Sequence, residues 1–436
     1  MKVTEAVALP ELIHDAAERG AGITVRSSTG PGREGRSEPA ENCTQIDLSG
    51  IDRIININRD ERVAIVEPGV TYQMLADAIE PHGLRVCHPL LPPAGKSVLA
   101  SLIDREPQTI PKYHWDFTDP LLCAEVYFGT GERFRTGGAA GPGKTLEEQW
   151  SGGMFQKNPL GPAQTDLIKL VQASQGTMGI ATWASVRLEC KPEIRRGFVT
   201  AGSFARLAEF VSAITRRRLG DEIMLLDAAQ AECLSSALNI TAPALSGGEW
   251  LLAIVIGSLP FHPEESIAFQ VTEATELAAA VGVELNGDET GFVRAITAAA
   301  TAAGDWKRAS LGEDFSQIYF LSTLNRAEQL VDVARKAWGA SEPDSDICVA
   351  SYVQPLNQGR TCHVEVTIQG RVSLDDGARK LAEAGAFFSR PSAATTPVAY
   401  ERCPDTVRAL RKVKDVLDPP HVLNPGRLFD DPRVEV

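Results

Sequence analysis

The rhythm of the chain changes at Cys190-Lys-Pro192, and that change limits the architectures open to it. Before it, short β-rich runs alternate with turns. Ile23–Arg26, Thr44–Leu48, Ile54–Asn58 and Val63–Glu67 are divided by Ser49-Gly50 and Asn58-Arg-Asp60. Thr71 caps an amphipathic helix in TYQMLADAIEPHG, with Met74, Leu75, Ala78 and Ile79 on one face and Gly83 past its end. Ala124–Phe128 and Glu132–Arg135 read as a hairpin around Gly129-Thr-Gly131. After Pro192 the helices lengthen. Phe204, Leu207, Phe210, Val211 and Ile214 line one helix face, and Arg216-Arg-Arg218 suit its C-terminus before Gly220. A second helix is expected from His262-Pro263, and a third from Asn325, with Glu328 at capping-box spacing. Strands are expected at Leu251–Ile256, Cys348–Val353 and Thr361–Ile368. The fold class is α+β, with an N-terminal domain (1–192), a central domain (193–394) and a short C-terminal return (395–436).

Charge narrows the choice of partner. Forty-three Lys and Arg against fifty-seven Asp and Glu leave a net charge of −14. Such a surface argues against nucleic acid or an anionic membrane. A phosphate-bearing cofactor stays open, because backbone N–H groups hold anions without cationic side chains. No run approaches the ~18 apolar residues that span a bilayer. The opening segment, MKVTEAVALPELIHDAAERG, lacks the charged-then-apolar order of a secretory leader, so a soluble cytoplasmic protein is expected. The eight cysteines form no Cys-x-x-Cys pair, which argues against structural zinc or an iron–sulfur cluster and for reduced thiols.

Two glycine-rich stretches resemble phosphate loops in spacing only. Gly30-Pro-Gly32-Arg-Glu-Gly35 has dinucleotide-binding spacing, but RSEPAENC follows where a helix should start. The loop can still curl its N–H groups around a phosphate. Gly138–Thr145 matches a nucleotide-triphosphatase loop, with Lys144 and Thr145 at the phosphate and magnesium positions. The strand before it is a hairpin arm, and LEEQWSGG is too short for the required helix. A magnesium–ATP enzyme is therefore the least favoured reading.

Three phrases, in order along the chain, resemble the vanillyl-alcohol oxidase and p-cresol methylhydroxylase superfamily of FAD-linked oxidoreductases. The first runs from Ile23 through QIDLSGIDRIININRDERVAIVEPGVTYQML, where Val66-Glu-Pro-Gly69-Val-Thr71-Tyr72 matches the family's turn into a helix. The second joins GTGERFRTG to GPAQTDLIKLVQASQGTMGIATWASVRL, and is similar to the loop near the adenine half of FAD. The third is LRKVKDVLDPPHVLNPGRLF, the family's C-terminal signature. The resemblance implies an FAD-binding domain made of the N-terminal domain plus the C-terminal return, under a central substrate-covering domain. It also makes Arg135-Thr-Gly137-Gly-Ala-Ala140 a family strand end, not a phosphate loop, and Asp166 a helix cap.

The same resemblance places the cofactor contacts. Ser27, Ser28, Thr29, Gly30, Pro31 and Gly32 would hold pyrophosphate; Ser97 and Ser101 would face the flavin ring. Gly176, Thr177, Gly179, Ile180 and Asn424 would complete the site. The chain departs from the family where Ser97-Val-Leu-Ala-Ser101 replaces Thr-x-Gly-Gly-Asn. Leu99 and Ala100 put side chains where two glycines let the backbone approach the ring, a departure that also suits a noncatalytic subunit which has lost part of its cofactor site. No counterpart of a covalent attachment point is found, so noncovalent FAD is expected; His88 in VCHPLLPP is the histidine that stands out.

The central domain offers the chemistry. Thr361, His363, Glu365 and Thr367 alternate with Cys362, Val364, Val366 and Ile368, so a strand sets His363 and Glu365 on one face. A solvated sheet gives this pattern, and so does a roof over the flavin, where His363 serves as base. Phe387-Phe-Ser-Arg390-Pro391 is similar to the family's Tyr-Arg pair, with Ser389 in place of Tyr. Arg390 is then either a substrate anchor or half of a structural ion pair. The expectation is an FAD-dependent oxidoreductase that takes hydride from an oxygen-bearing carbon of a small alcohol, hydroxy acid or phenol. Electrons pass on to oxygen, a soluble acceptor or a separate subunit, and an oligomer is expected.

Overall fold

A computed structural model describes residues 1–29, 42–141, 145–161, 165–245, 249–299, 305–312, 314–339, 347–430 and 434. Helix α1 (Leu9–Arg19) leads into β1 (Gly22–Arg26), which pairs in parallel with β2 (Cys43–Asp47). Then come β3 (Ile54–Asn58), β4 (Val63–Val66), α2 (Tyr72–Ile79), β5 (Leu84–Val86) and α3 (Val98–Ile103). The unit ends with β6 (Leu121–Tyr127), β7 (Arg133–Arg135), α4 (Leu146–Ser151), α5 (Ile168–Val171) and β8 (Ile180–Cys190). Its sheet runs β3-β4-β8-β6-β7, with β5 also on β8. Thr71 caps α2 as its sequence implies, accepting from the Met74 N–H at 3.2 Å.

The chain then builds a second sheet. It comprises β9 (Arg195–Gly202), α6 (Phe204–Arg216), β10 (Glu222–Asp227), α7 (Ala228–Leu238), β11 (Trp250–Gly257) and α8 (Pro263–Ala280). Next are β12 (Asn286–Gly287), α9 (Phe292–Ile296), α10 (Trp306–Leu311), β13 (Phe315–Ser322) and α11 (Leu324–Ala337). β14 (Val349–Leu356), β15 (Thr361–Gln369) and α12 (Asp375–Glu383) follow, then α13 (Thr396–Glu401) and α14 (Pro404–Leu417). The seven strands run β12-β9-β11-β10-β14-β15-β13, antiparallel throughout. Helix α11 begins earlier than the capping-box spacing suggests. Thr323 is its N-cap residue, and its hydroxyl bonds Asn325 at 2.5 Å, so no box forms with Glu328.

The period-two pattern in β15 resolves two unlike faces. Cys362, Val364, Val366 and Ile368 pack with Phe210, Leu330 and Leu381 beneath α6, α11 and α12. The opposite face, with Met224, Leu226, Phe315 and Tyr352, packs with Leu91 of the first unit. His363, Glu365 and Thr367 belong to that second face by register with Leu321, Tyr319 and Gln317. The polar face is therefore buried, not solvated: His363 is only 2% exposed.

After α14 the chain returns to the first unit. Leu423 forms a parallel bridge with Ile23. The fully buried Lys414 bonds Asp418, the Thr177 carbonyl at 2.7 Å and the Leu423 carbonyl at 3.0 Å. The described flanks of the triphosphatase-like loop differ from that motif's usual setting. Thr145 caps α4 in a capping box with Glu148, the strand before it is antiparallel, and Lys144 lies outside the described residues. Among the described residues, no helix is long and apolar enough to cross a membrane.

Candidate functional site

Between the two sheets lies a cleft open to solvent. One wall is the proline-rich loop Pro89–Pro93 with Lys96 and Glu106; the other is Phe315, Gln317, Tyr352, Glu365 and Arg390. Trp306 and Lys307, both from α10, join the second wall.

Arg390 is the most unusual side chain there. Phe387 pairs through its backbone with Leu321, extending the sheet edge, and Phe388 packs edge-on against Phe320 at 6.3 Å. Those contacts anchor the segment and leave Arg390 at the cleft, 5% exposed. Its guanidinium lies 4.4 Å from the Tyr319 ring centroid, and Nη1 donates to the Arg105 carbonyl at 3.0 Å. Nε is buried with no hydrogen-bond partner. Among the described residues no carboxylate pairs with it, so the ion-pair alternative is not what the fold builds. A buried guanidinium held by one carbonyl and one aromatic face is short of a negative partner.

His363 and Glu365 sit side by side as their spacing requires, Nε2 to Oε2 at 3.9 Å. Lys307 Nζ approaches Glu365 Oε1 at 2.5 Å. Burial opposes ionisation of Glu365, yet Lys307 and His363 outweigh it and hold the carboxyl down at about 2. Burial lowers His363 below its usual value, and the Arg390 charge adds to that effect against the pull of Glu365. The pair is thus an ionised carboxylate beside a neutral imidazole. Glu365 lines the cleft; His363 lies just behind it, flanked by Tyr319 and Tyr352, with Nε2 lacking a hydrogen-bond partner.

The expected cofactor contacts are partly redistributed. Ser97 Oγ donates to the Pro68 carbonyl at 2.5 Å and caps Ala100 N–H, so its hydroxyl proton is not offered to a flavin. Ser97 N–H meets Ser28 Oγ at 3.1 Å, and Thr29 N–H meets the Gly95 carbonyl at 3.0 Å. Ser27 precedes them, half-buried, while Gly30, Pro31 and Gly32 lie outside the described residues. Ser101 is buried between the Tyr72 hydroxyl and Glu106, a wall residue. Thr177 bonds the Ser174 carbonyl. Ile180 is a core residue at the start of β8. Gly176, at φ +75°, is pressed by Asn424; a Cβ would lie 2.3 Å from its amide nitrogen. Gly179 abuts Val126, where a Cβ would lie at 2.4 Å. Leu99 does not project toward the cleft: it packs with Val70, Tyr72 and Leu75 in the core, because α3 turns Val98, Leu99 and Leu102 inward.

Buried polar atoms without partners recur in the segments that would hold a long, polar dinucleotide such as FAD. Thr24 Oγ1, Asn424 Oδ1, Gln175 Oε1, Arg390 Nε and His363 Nε2 are all buried without hydrogen-bond partners. They are linked through the fold. Asn424 N–H bonds the Ile23 carbonyl, its amide bonds the Gln175 carbonyl, and Gln175 Nε2 bonds the Pro391 carbonyl beside Arg390. Buried orphans of this kind ask for a ligand or ordered water. Gln175, Lys307 and the Lys96–Glu106 pair escaped the sequence reading. Gln175 lies inside the quoted glycine phrase, whereas Lys307 and Glu106 join the site only through tertiary packing. His88 lines a separate hollow with Arg85, Arg195 and Glu222, its Nδ1 bonded to the Pro89 carbonyl.

Residues 1–102 match the FAD binding domain family. An uncharacterized FAD-linked oxidoreductase of Mycobacterium tuberculosis is 22% identical, across 97% of this chain and 88% of its own length. A glycolate oxidase subunit of Bacillus subtilis is likewise 22% identical, across 90% of this chain and 80% of its own. In fold, the chain is similar to p-cresol methylhydroxylase with substrate bound, at TM-score 0.79 and 16% identity, covering 100% of this chain and 89% of that one. It is also similar to the 4-ethylphenol oxidase of Gulosibacter chungangensis, at TM-score 0.77 and 17% identity, covering 98% and 88%.

Proposed function

We propose that this chain, a member of the vanillyl-alcohol oxidase and p-cresol methylhydroxylase superfamily of FAD-linked oxidoreductases, oxidises a small anionic substrate at a carbon bearing oxygen. Bound FAD, which we expect to be noncovalent, supplies the hydride acceptor. Asn424, Gln175 and Thr24 hold its polar length, with the backbone around Ser28 and Ser97. The domain division follows the same logic: 1–192 with 395–436 carry the cofactor, and 193–394 cover the substrate.

Arg390 carries the reading. Its guanidinium has an aromatic face beneath it and an open fork, which suits the carboxylate of a hydroxy acid or an ionised phenol. Pro89–Pro93, Trp306 and Phe315 give the substrate's carbon skeleton an apolar wall. His363 takes the hydroxyl proton, because Glu365, held near 2, is too weak a base and serves to orient the imidazole. Lys307 fixes Glu365 in turn.

Arg390→Ala should leave the protein folded and yellow with flavin while weakening the binding of substrate or of a carboxylate inhibitor. Loss of one charge-assisted contact costs about 1.5–3 kcal/mol, roughly 10- to 150-fold in affinity. Arg390→Lys should be impaired too, since an ammonium does not reproduce the planar fork. Full activity in Arg390→Ala on the true substrate would remove the anchor role. The relatives' names support the oxidoreductase class; a glycolate oxidase subunit among them makes a hydroxy acid and a partner subunit part of what these measurements should include.

A further inference from the structure

One pair of thiols plays no part in the chemistry above. Helix α7 buries Gln230, Ala231, Cys233 and Leu234 against the sheet. Cys348 immediately precedes β14, the strand on which α7 packs, and the two cysteines share one apolar cluster. They are unlinked thiols whose side chains neighbour each other. Cys233 is 7% exposed, whereas Cys348 is half-buried at the surface end of the strand.

The pair is asymmetric. The hydrogen bond from Cys233 brings the Cys348 thiol down to about 7, against burial and the nearby charges of Asp227 and Glu232. The same bond, with burial, raises Cys233. The outer sulfur is the one that meets solvent, and the inner one waits behind it. Ser310 of α10 neighbours the Cys233 side chain. Its hydroxyl bonds back to the Trp306 carbonyl at 3.0 Å, so the pair lies one helix behind the cleft wall.

We propose that Cys233 and Cys348 are a redox-active dithiol that closes to an intramolecular disulfide when the protein meets a peroxide. The Cys348 thiolate attacks one peroxide oxygen and the O–O bond breaks. This leaves a sulfenic acid on Cys348 and, with a proton, one water. The Cys233 sulfur then attacks the Cys348 sulfur; the S–O bond breaks, and the leaving hydroxide takes the Cys233 proton as a second water. Two thiols give two electrons, and one peroxide becomes two waters. A thiol reductant reverses the closure.

The test is peroxide titration of the whole purified protein, followed by alkylation under denaturing conditions and non-reducing peptide mass spectrometry. One equivalent of hydrogen peroxide should remove two of the eight thiols and link the peptides carrying Cys233 and Cys348, reversibly with dithiothreitol. Cys348→Ser should abolish the reaction at both positions. Cys233→Ser should stop it at a Cys348 sulfenic acid that dimedone traps. The proposal is overturned if wild-type Cys348 goes on to sulfinic acid with no link to Cys233. It is equally overturned if both thiols survive peroxide while other cysteines react.

Discussion

His363 has a buried imidazole, a carboxylate 3.9 Å away and a guanidinium in the same neighbourhood. Burial and Arg390 lower its pKa, so the base form is present across neutral pH. Stopped-flow measurement of flavin reduction should show a rate that rises with pH to a plateau, with its midpoint below histidine's ordinary value of about 6.5. His363→Gln should slow reduction while leaving substrate affinity nearly unchanged, and should remove that limb. A limb that persists in His363→Gln would assign the base elsewhere. At this scale the sequence was informative but partial. The alternation of Thr361–Ile368 put His363 and Glu365 on one face, yet the alternation could not say whether that face met water or a second domain. Leu99 shows the converse. Its bulk at a glycine position suggested a blocked ring site, whereas its direction is set by the turn of α3, which points it into the core.

Helix α14 shows how one element fastens distant parts of the chain. Lys414 and Asp418 are spaced i, i+4 in the sequence, as for many surface pairs, but both are fully buried. Asp418 accepts from the Val422 and Leu423 N–H groups at 3.1 and 2.8 Å, and Gly129 is required beside it because a Cβ would fall 2.0 Å from its carboxylate. Lys414→Ala would leave that carboxylate buried and unpaired, a loss of about 3–5 kcal/mol. Chemical denaturation should report a loss of that size. A loss under ~1 kcal/mol would match an exposed pair and contradict the burial. The C-terminal signature was legible as a phrase. Its lysine's bonds to Thr177 were not, because nothing local marks a helix end as buried.

Across the whole molecule, the contact between the two sheets carries charge that titrates near neutrality. Glu222 lies within 3.5 Å of Arg85 and bonds Arg195 and Thr109, joining both units. Burial raises its carboxyl to about 7 against those cations, while burial lowers His88, in the same hollow, to about 4. A raised carboxyl stabilises the fold at low pH, and that contribution is lost as pH rises from 4.5 towards 7. A depressed imidazole does the opposite, its contribution growing from pH 4 to 6.5. The slopes of these two groups oppose each other between pH 4.5 and 6.5. Glu222→Gln should uncover the histidine term, giving a melting temperature that climbs with pH across that window. A flat profile in the variant would show that His88 and Glu222 do not oppose each other. The division of the chain near Pro192 was readable from its changing rhythm; the charges at the seam were not, since Arg85 and Glu222 meet only once both sheets exist.

The return of the last segment to the first strand also sets an order of events during synthesis. β1 has no Leu423 beside it, and Gly176 no Asn424 against it, until nearly the whole chain has been made. Arg390 arrives late as well, and β10 lacks its β14 neighbour until residue 356. A nascent chain thus holds Thr24 and Ser28 long before Arg390 and Asn424 are made. Removing residues 395–436 should therefore weaken FAD retention, read as loss of flavin absorbance, while leaving Arg390, His363 and Glu365 in the chain.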